Sequence, residues 1–430
     1  MSYPKKTHWT ADVTPEIHGA EVVVAGWVWE LRDLGKVKFL VLRDREGFVQ
    51  VTFKSGKTPQ HLLDRFNELN REDVVVVKGV VETSKIAKRG VEIFPSELWV
   101  LNKAKPLPID IWSETPDLAT RLRWRSVDLK RPRNLAVFST ASNILKAIRE
   151  VLYGERFVEV FTPKIIVTST EGGAELFPVL YFERVAYLSQ SPQLYKEQLT
   201  ASLERVFEIG PAYRAEKHNT DYHLNEFISV DAEAAFMNYN DVMDLLEKIM
   251  KRVVEALSSS VDRLKELGIT PVVTEISKIP RVEYGEAVEK LRELGYSINW
   301  GDDLNVDMQK SLMKYYGPVY FIVDFPASLR PFYTRRKEEK LSESYDLIIN
   351  GIEIASGATR IHKRDELEEE MKKRGLDPKL FESHLAVFDY GMPPHAGFGL
   401  GFNRLVAALL GLDNVRHATL YPRDRYRVEP

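Results

Sequence analysis

The chain has 430 residues, 44% of them hydrophobic and 29% charged, which places it among globular proteins with room for two or three domains. It contains no cysteine, so disulfides, thiolate nucleophiles and zinc-cysteine sites are excluded, and any metal must be held by oxygen or histidine. With 60 basic against 63 acidic residues and a net charge of -3, a polyanionic partner would need a local basic face.

No run approaches the roughly 18 apolar residues that span a bilayer, and the opening "MSYPKKTHWTADVTPE" has no apolar signal core. A cytosolic protein with no membrane partner is expected. Abundant Lys and Glu with few Gln lean towards a thermophilic source. Residues 17 to 103 predict short strands, "AEVVVAGWVWEL", "KVKFLVLRD", "GFVQVTFK", "DVVVVKGVVE" and "VEIFPSELWVL", with one helix near "PQHLLDRFNELN". Five such strands suggest a small closed barrel, either an OB-fold or another five-stranded barrel or sandwich.

Proline punctuation in "KAKPLPIDIWSETPD" predicts a linker, followed by the basic stretch Arg121 to Arg133, which reads as a solvated face. Ile144, Leu145, Ile148, Val151 and Leu152 recur at helical spacing, and "FVEVFTPKI" predicts a strand ending at Pro163. In "DVMDLLEKIMKRVVEAL", Val242, Leu245, Leu246, Ile249, Val253 and Leu257 share the core face of an amphipathic helix. Residues 261 to 340 read as an inserted, more polar region. The boundaries expected are 1-104 for the barrel, 105-135 for a hinge and 136-430 for a larger domain.

Chemistry concentrates in the second half. In "YLSQSPQLYKEQL", Lys196 is either a surface charge or, if buried, the partner of a buried anion. "FEIGPAYRAEKHNTDYHLNEFISVD" predicts an antiparallel hairpin with Arg214 and Glu216 facing one side at its mouth and His223 and Phe227 re-entering. Such a surface suits phosphate and an adenine ring, although a solvated hairpin has the same pattern. "HAGFGLGFNRL" combines glycines with Arg404 but is neither a Walker A loop nor a dinucleotide-binding turn.

The ordered segments "FVEVFTPKI", "YRAEKHNTDYHLNEF" and "GFGLGFNRL" resemble motifs 1, 2 and 3 of the class II aminoacyl-tRNA synthetases. "TEGGAELFPV" and "QSPQLYKE" resemble the aspartate branch of subclass IIb, in its archaeal form. The resemblance covers essentially the whole chain. It implies a multidomain α+β protein, with an N-terminal OB-fold that binds the anticodon and a catalytic antiparallel sheet flanked by helices. The implied activity joins L-aspartate and ATP into aspartyl-adenylate with release of pyrophosphate, then transfers aspartate to the 3' end of tRNA(Asp). A homodimer through motif 1 is implied as well.

By the same resemblance Arg214 holds the α-phosphate, Glu216 and Phe227 the adenine, His223 the terminal phosphates, and Arg404 the opposite face of the nucleotide. Glu353, Ser356 and, less firmly, Asp346 would ligate Mg2+, a hard cation that takes oxygen donors. Lys196 and Arg360 would bind the substrate β-carboxylate, with Glu171, Gln193 and Asp231 arranging the ammonium end and the lysine, and the loop Thr168 to Phe177 would close as a lid. Pro192 and Lys196 favour aspartate over asparagine, because a neutral amide would leave a buried ammonium uncompensated. In the barrel, Phe39 and Gln50 match positions that stack on and hydrogen-bond the central anticodon base, Phe39 having barrel core as its other reading. Trp29 and Lys88 match members restricted to aspartate tRNA. Asn403 departs from the resembled pattern, which often has Glu before the motif 3 arginine. A non-discriminating enzyme that also charges tRNA(Asn), an asparaginyl enzyme, a free-standing asparagine synthetase relative and a non-catalytic RNA-binding paralogue are the competing readings.

Overall fold

Inward-pointing aliphatic residues build the first unit. In β1 (Glu21–Asp33) Val22, Val24 and Val28 are buried, matched by Leu40 and Leu42 of β2 (Val37–Arg43) and by Val49, Val51 and Phe53 of β3 (Phe48–Lys54). Val75, Val77 and Val81 of β4 (Val74–Thr83) and Val91, Ile93 and Leu98 of β5 (Val91–Asn102) complete that core. The strands close in the order β1-β2-β3-β5-β4. The helix Gln60–Asn67, between β3 and β4, adds Leu62 and Phe66 to the core. A closed five-stranded barrel with a helix after its third strand is the OB-fold, and closure rules out the open sandwich.

The structure, a computed structural model, describes residues 3–113, 116–167, 175–273 and 275–430. It divides into two units, Met1–Asp117 and Leu118–Pro430. The expected hinge 105-135 is therefore split between them. Its basic stretch is a solvated face only in part: Arg123 and Arg133 are exposed, but Arg121, Arg125 and Arg131 are buried around the single carboxylate of Asp128, at 2.9, 2.9 and 3.1 Å. Arg125 also donates to the carbonyls of Arg416, Thr419 and Leu420, tying this segment to the chain's last residues. Charge run along a sequence says nothing about side until the partner carboxylate is placed.

The second unit is an eight-stranded sheet in the order β12-β13-β14-β15-β16-β11-β10-β6, with a small sheet β7-β9-β8 beside it in sequence. The strands are β6 (Val158–Glu159), β7 (Ile165–Ile166), β8 (Pro178–Tyr181), β9 (Arg184–Leu188), β10 (Arg205–Tyr213) and β11 (Glu226–Ala235). They continue with β12 (Arg281–Glu283), β13 (Val319–Val323), β14 (Ser344–Ile349), β15 (Ile352–Thr359) and β16 (His395–Gly401). The central pairs from β13 to β10 are all antiparallel. Residues 261 to 340 do not hang off this sheet: they supply β12 and β13 and pack a core of their own around Tyr284, Leu291, Leu312, Tyr320 and Ile322.

The helix Pro132–Gly154 starts with proline at its first turn and buries Ile144, Ile148 and Leu152, while Leu145 and Val151 pack from its flank. The helix Tyr239–Ser258 buries the whole predicted stripe from Val242 to Leu257. It is capped by Asn238, whose side-chain oxygen accepts from the Asn240 N–H at 2.8 Å while Asp241 accepts from the Asn238 N–H at 2.8 Å. The predicted strand to Pro163 is shorter than expected. Pairing with β10 stops after the Val160 N–H bond to the Phe207 carbonyl, because Phe161 turns outward and Pro163 has no N–H to donate.

One barrel contact makes a stability test. The β4–β5 register shifts at Gly79, where a methyl group would lie 2.3 Å from the Phe94 carbonyl oxygen and 2.8 Å from the Ile93 side chain. Gly79→Ala is expected to destabilise the barrel by about 1 to 3 kcal/mol through that overlap. Chemical denaturation followed by barrel tryptophan fluorescence checks it, and an unchanged midpoint refutes the close approach.

Candidate active site

The floor of the site is a pattern of alternation. On β16 the glycines 397, 399 and 401 stand directly opposite Glu233, Asp231 and Ser229 of β11. A methyl at Gly397 would sit 2.2 Å from both the Ala232 carbonyl oxygen and Glu233 Oε2, so absence of a side chain is what admits the carboxylate. The role of the glycine at 397 is room for a neighbouring acid. The cavity above them has a volume of about 290 Å³ and is lined chiefly by β11, β15, β16 and the loop after β10.

At one end stand the residues expected to meet a nucleotide. Arg214, Glu216, His223, Phe227, Glu353 and Arg404 all line this one cavity. β10 ends at Tyr213, so Arg214 and Glu216 lie just beyond the strand, with Arg214 anchored by its N–H to the Asn225 carbonyl at 2.9 Å. The Arg214 guanidinium is 5.5 Å from the Phe227 ring centre and 3.9 Å from Glu216. His223 Nδ1 is 2.6 Å from the Thr220 hydroxyl and its Nε2 3.8 Å from Glu216. Burial, then the positive charge of Arg404, hold this histidine below its ordinary pKa, which favours the neutral ring. Arg404 is fixed by donation from Nε to the Tyr222 carbonyl at 2.9 Å.

Glu353 and Ser356 are three apart on β15, a spacing that regular alternation would send to opposite faces. The register slips between Leu347 and Ile348, which face Ala355 and Glu353 respectively, and this irregularity brings both residues to the cavity. Asp346 is already partnered. Arg330 Nη1 donates to Asp346 Oδ1 at 2.9 Å and to the Ser356 hydroxyl at 3.1 Å, and Nη2 lies 2.8 Å from Asp346 Oδ2. Burial and the nearby Asp346 charge raise the Glu353 carboxyl to about 7, the signature of an oxygen site short of positive charge. Glu353 and Ser356 thus have the chemistry for a divalent cation, whereas both oxygens of Asp346 face Arg330. Among the described residues no group of three or more acidic or histidine side chains forms a cage, so such an ion would need ligand oxygens to complete its shell.

At the other end lies a quartet of charges. Lys196 is 1% exposed, and its Nζ donates to Asp231 Oδ1 at 2.9 Å and to the Phe398 carbonyl at 2.8 Å, with Glu233 Oε2 at 3.4 Å. Arg360 Nε donates to Glu233 Oε1 at 2.9 Å and the Arg360 guanidinium stands 5.1 Å from the Tyr333 ring centre. Burial works against that charge, but Glu233 outweighs it and raises the Arg360 pKa. Lys196 is therefore buried, as one of its two readings required, yet it is compensated within the fold. It lies behind Asp231, and Arg360 rather than Lys196 lines the cavity together with Gln193, Asp231 and Ser356. The expectation that an amide ligand would leave the ammonium bare is corrected by Asp231 and Glu233.

Glu171 and most of the Thr168 to Phe177 loop lie outside the described residues. In the barrel, Phe39 and Gln50 share the face opposite the core, Phe39 pairing with Thr52 and Gln50 with Val41. Gln50 Nε2 donates to Glu92 at 3.1 Å. The Trp29 ring packs 5.4 Å from Phe48 and 5.8 Å from Trp112, while Lys88 is exposed. Two site residues escaped the sequence reading. Glu233 was accessible to it, being two residues beyond Asp231 on one strand and so on the same face. Arg330 sits in a loop far from its partners in sequence and gave no signal.

Residues 117–425 match the family of class II tRNA synthetases (D, K and N), and residues 22–101 the OB-fold nucleic acid binding domain family. The chain is 82% identical over 428 residues to an aspartate–tRNA(Asp) ligase of Pyrobaculum aerophilum, covering 100% of both chains. It is 49% identical over 438 residues to an aspartate–tRNA(Asp/Asn) ligase of Sulfurisphaera tokodaii, covering 99% of this chain and 100% of the other. Among solved structures, asparaginyl-tRNA synthetase from Pyrococcus horikoshii with asparaginyl-adenylate superposes with a TM-score of 0.91 at 33% identity, covering 99% of this chain and 100% of that one.

Glu353 makes the site testable by pH. Between the ordinary carboxyl value of 4.5 and about 7 the folded chain holds a proton that the unfolded chain has lost, so stability falls as pH rises through that window. Glu353→Gln removes this loss. Without divalent cation, the variant is expected to match wild type near pH 4 and exceed it at pH 8 by on the order of 3 kcal/mol. Urea unfolding across the range measures the gap, and a gap independent of pH refutes the raised carboxyl.

Proposed function

The chain belongs to the class II tRNA synthetases, and from that premise we propose that its cavity activates L-aspartate with ATP and passes the aspartyl group to the 3' end of tRNA(Asp) in the cytoplasm. The observation that carries this reading is the polarity of one cavity, with Arg214 and Arg404 at one end and the Lys196, Asp231, Glu233 and Arg360 quartet at the other. The first end suits a polyphosphate and a purine, the second a short zwitterion with an extra carboxylate.

The chemistry is an in-line exchange at the α-phosphorus. The aspartate α-carboxylate attacks it, a new P–O bond forms, and the bond to pyrophosphate breaks; the terminal ribose hydroxyl of tRNA then attacks the adenylate carbonyl and releases AMP. No side chain of the protein becomes covalently bonded. Arg214 holds the α-phosphate oxygens and neutralises their charge, His223 meets the terminal phosphates, Arg404 lies against the opposite face of the nucleotide, Phe227 offers a ring face to adenine, and Glu216 accepts from its amino group. Glu353 and Ser356 would hold Mg2+, which when bound supplies further charge neutralisation on the phosphates. Asp346 acts through Arg330, which it orients beside Ser356.

For aspartate, Arg360 is the contact. Its Nε and Nη2 face Glu233, leaving Nη1 for the β-carboxylate, while Lys196 holds Asp231 from behind and adds positive charge. Asparagine presents an amide whose N–H2 would face a guanidinium. Restriction to tRNA(Asp) rather than tRNA(Asp) and tRNA(Asn) together is supported by Trp29 and Lys88 and by the name of the relative at 82% identity. A homodimer is supported by an apolar surface around motif 1, with Phe161 82%, Val167 73%, Leu180 82% and Phe182 75% exposed.

Three measurements check these points. Magnesium-dependent ATP–pyrophosphate exchange is expected with aspartate and not asparagine, and Lys196→Leu should lower kcat/KM for aspartate by on the order of a hundredfold or more by leaving Asp231 and Glu233 under-compensated. Exchange with asparagine instead overturns the specificity. Charging of the two tRNA transcripts in parallel decides between the Asp and the Asp/Asn readings, equal rates favouring the latter. Sedimentation should find a dimer that Phe161→Asp with Leu180→Asp converts to monomer; a wild-type monomer removes the dimer from the proposal.

A further inference from the structure

The helix Gln193–Leu203 carries a fully buried acid, Glu197, next to Lys196. Glu197 Oε1 accepts a 2.6 Å hydrogen bond from the Gln193 side-chain amide one turn earlier. Its Oε2 lies 3.4 Å from His395 Nε2 and 3.9 Å from His384 Nε2. His395 Nδ1 is 2.8 Å from the Pro393 carbonyl, which can only accept, so that nitrogen carries a proton and Nε2 meets the carboxylate as the second donor of an imidazolium. Glu197 is thereby kept ionised in a fully buried site: burial opposes the charge, but the bond to His395 and its charge outweigh it, while burial holds His384 below its ordinary pKa.

An ionised carboxylate accepts and cannot donate. The Gln193 group that faces it must therefore be the NH2, and the amide oxygen is turned away from Glu197, where Gln193 lines the cavity. An amide left without such a partner can flip at almost no steric cost and present N–H to the same place. We propose that Glu197 is a positioning residue for the substrate amine: by taking the Gln193 N–H it fixes the amide oxygen toward the cavity, where it accepts from the aspartate α-ammonium. The inference rests on the reading that Gln193 meets the ammonium end of aspartate. His395 holds the carboxylate in turn, so the chain of orientation runs from β16 through Glu197 to the ligand.

The test uses the full-length enzyme and ATP–pyrophosphate exchange. Glu197→Gln should raise KM for aspartate about tenfold to a hundredfold, the loss of one charge-assisted bond, with KM for ATP and kcat nearly unchanged. Inhibition by succinate, which has both carboxylates and no amine, should be unaffected. Gln193→Glu alone sets two carboxylates against each other and should be worse than Glu197→Gln, whereas the swap Gln193→Glu with Glu197→Gln restores a donor facing an acceptor and should recover much of the aspartate KM. If Glu197→Gln does not fold, Glu197→Asp keeps the charge beside His395 while withdrawing it from Gln193 and reads the same effect. An unchanged aspartate KM, or equal weakening of aspartate, succinate and ATP, overturns the positioning role. Gln193→Ala with an unchanged aspartate KM would instead sink the underlying assignment of Gln193.

Discussion

The amino-acid end of the cavity depends on one arrangement, the buried pairing of Lys196 and Arg360 with Asp231 and Glu233. None of these four could be buried alone, since removing one partner of such a pair costs about 3 to 5 kcal/mol. Together they join the helix Gln193–Leu203, β11, the residue after β15 and a carbonyl of β16. The glycines of β16 follow from this requirement, because a side chain at 397 would occupy the position of the Glu233 carboxylate. So does the floor of the cavity, whose shape is set by the acids that the glycines admit.

A balanced quartet changes how discrimination between aspartate and asparagine is understood. The pocket does not wait with a bare cation. It holds two positive and two negative groups already paired within the fold, in which Arg360 turns Nε and Nη2 to Glu233 and also lines the cavity. At the nucleotide end the balance is different. Arg330 neutralises Asp346, and Glu353 is left with a carboxyl raised to about 7. One end of the cavity thus has its buried charges paired, while at the other the Glu353 carboxyl is raised by burial and by Asp346 even with Arg404 and Arg330 nearby.

Much of this was legible in the sequence because it follows short-range rules. The alternating valines of the barrel, the stripe from Val242 to Leu257, and the turn-rich hairpin carrying Arg214 and Glu216 are fixed by periods of two and 3.6 residues. The three motifs were legible by resemblance, and the six nucleotide-facing residues named from them do line one cavity. What the sequence hid were partnerships across long separations. Arg125 reaches the carbonyl of residue 420, Arg330 reaches Asp346 and Ser356 from a loop, and Glu197 reaches His395. Whether a charge is solvated or buried depends on such a partner, and no periodicity announces it. The same reason explains why Lys196 reads from the sequence either as a surface charge or as the partner of a buried anion, and why its place behind Asp231, off the cavity wall, gave no signal.

Asn403 shows how a departure from a resembled pattern can be absorbed. An acid at this position would accept hydrogen bonds only. Asn403 Oδ1 accepts from the Ile228 N–H at 2.9 Å, while Nδ2 donates to the Ala418 carbonyl at 3.2 Å and to the Thr419 hydroxyl at 3.1 Å. A carboxylate would keep the first bond and set an oxygen against the Ala418 carbonyl, a buried repulsion that the amide avoids. The side chain thus clamps the motif 3 helix between β11 and the chain's last turn, and it has no free group to offer Arg404. Arg404 is anchored instead by the Tyr222 carbonyl, in the loop that also carries His223. The arginine is positioned by the backbone of motif 2 rather than by the residue before it, so motifs 2 and 3 hold their nucleotide-facing groups in one frame without the missing acid.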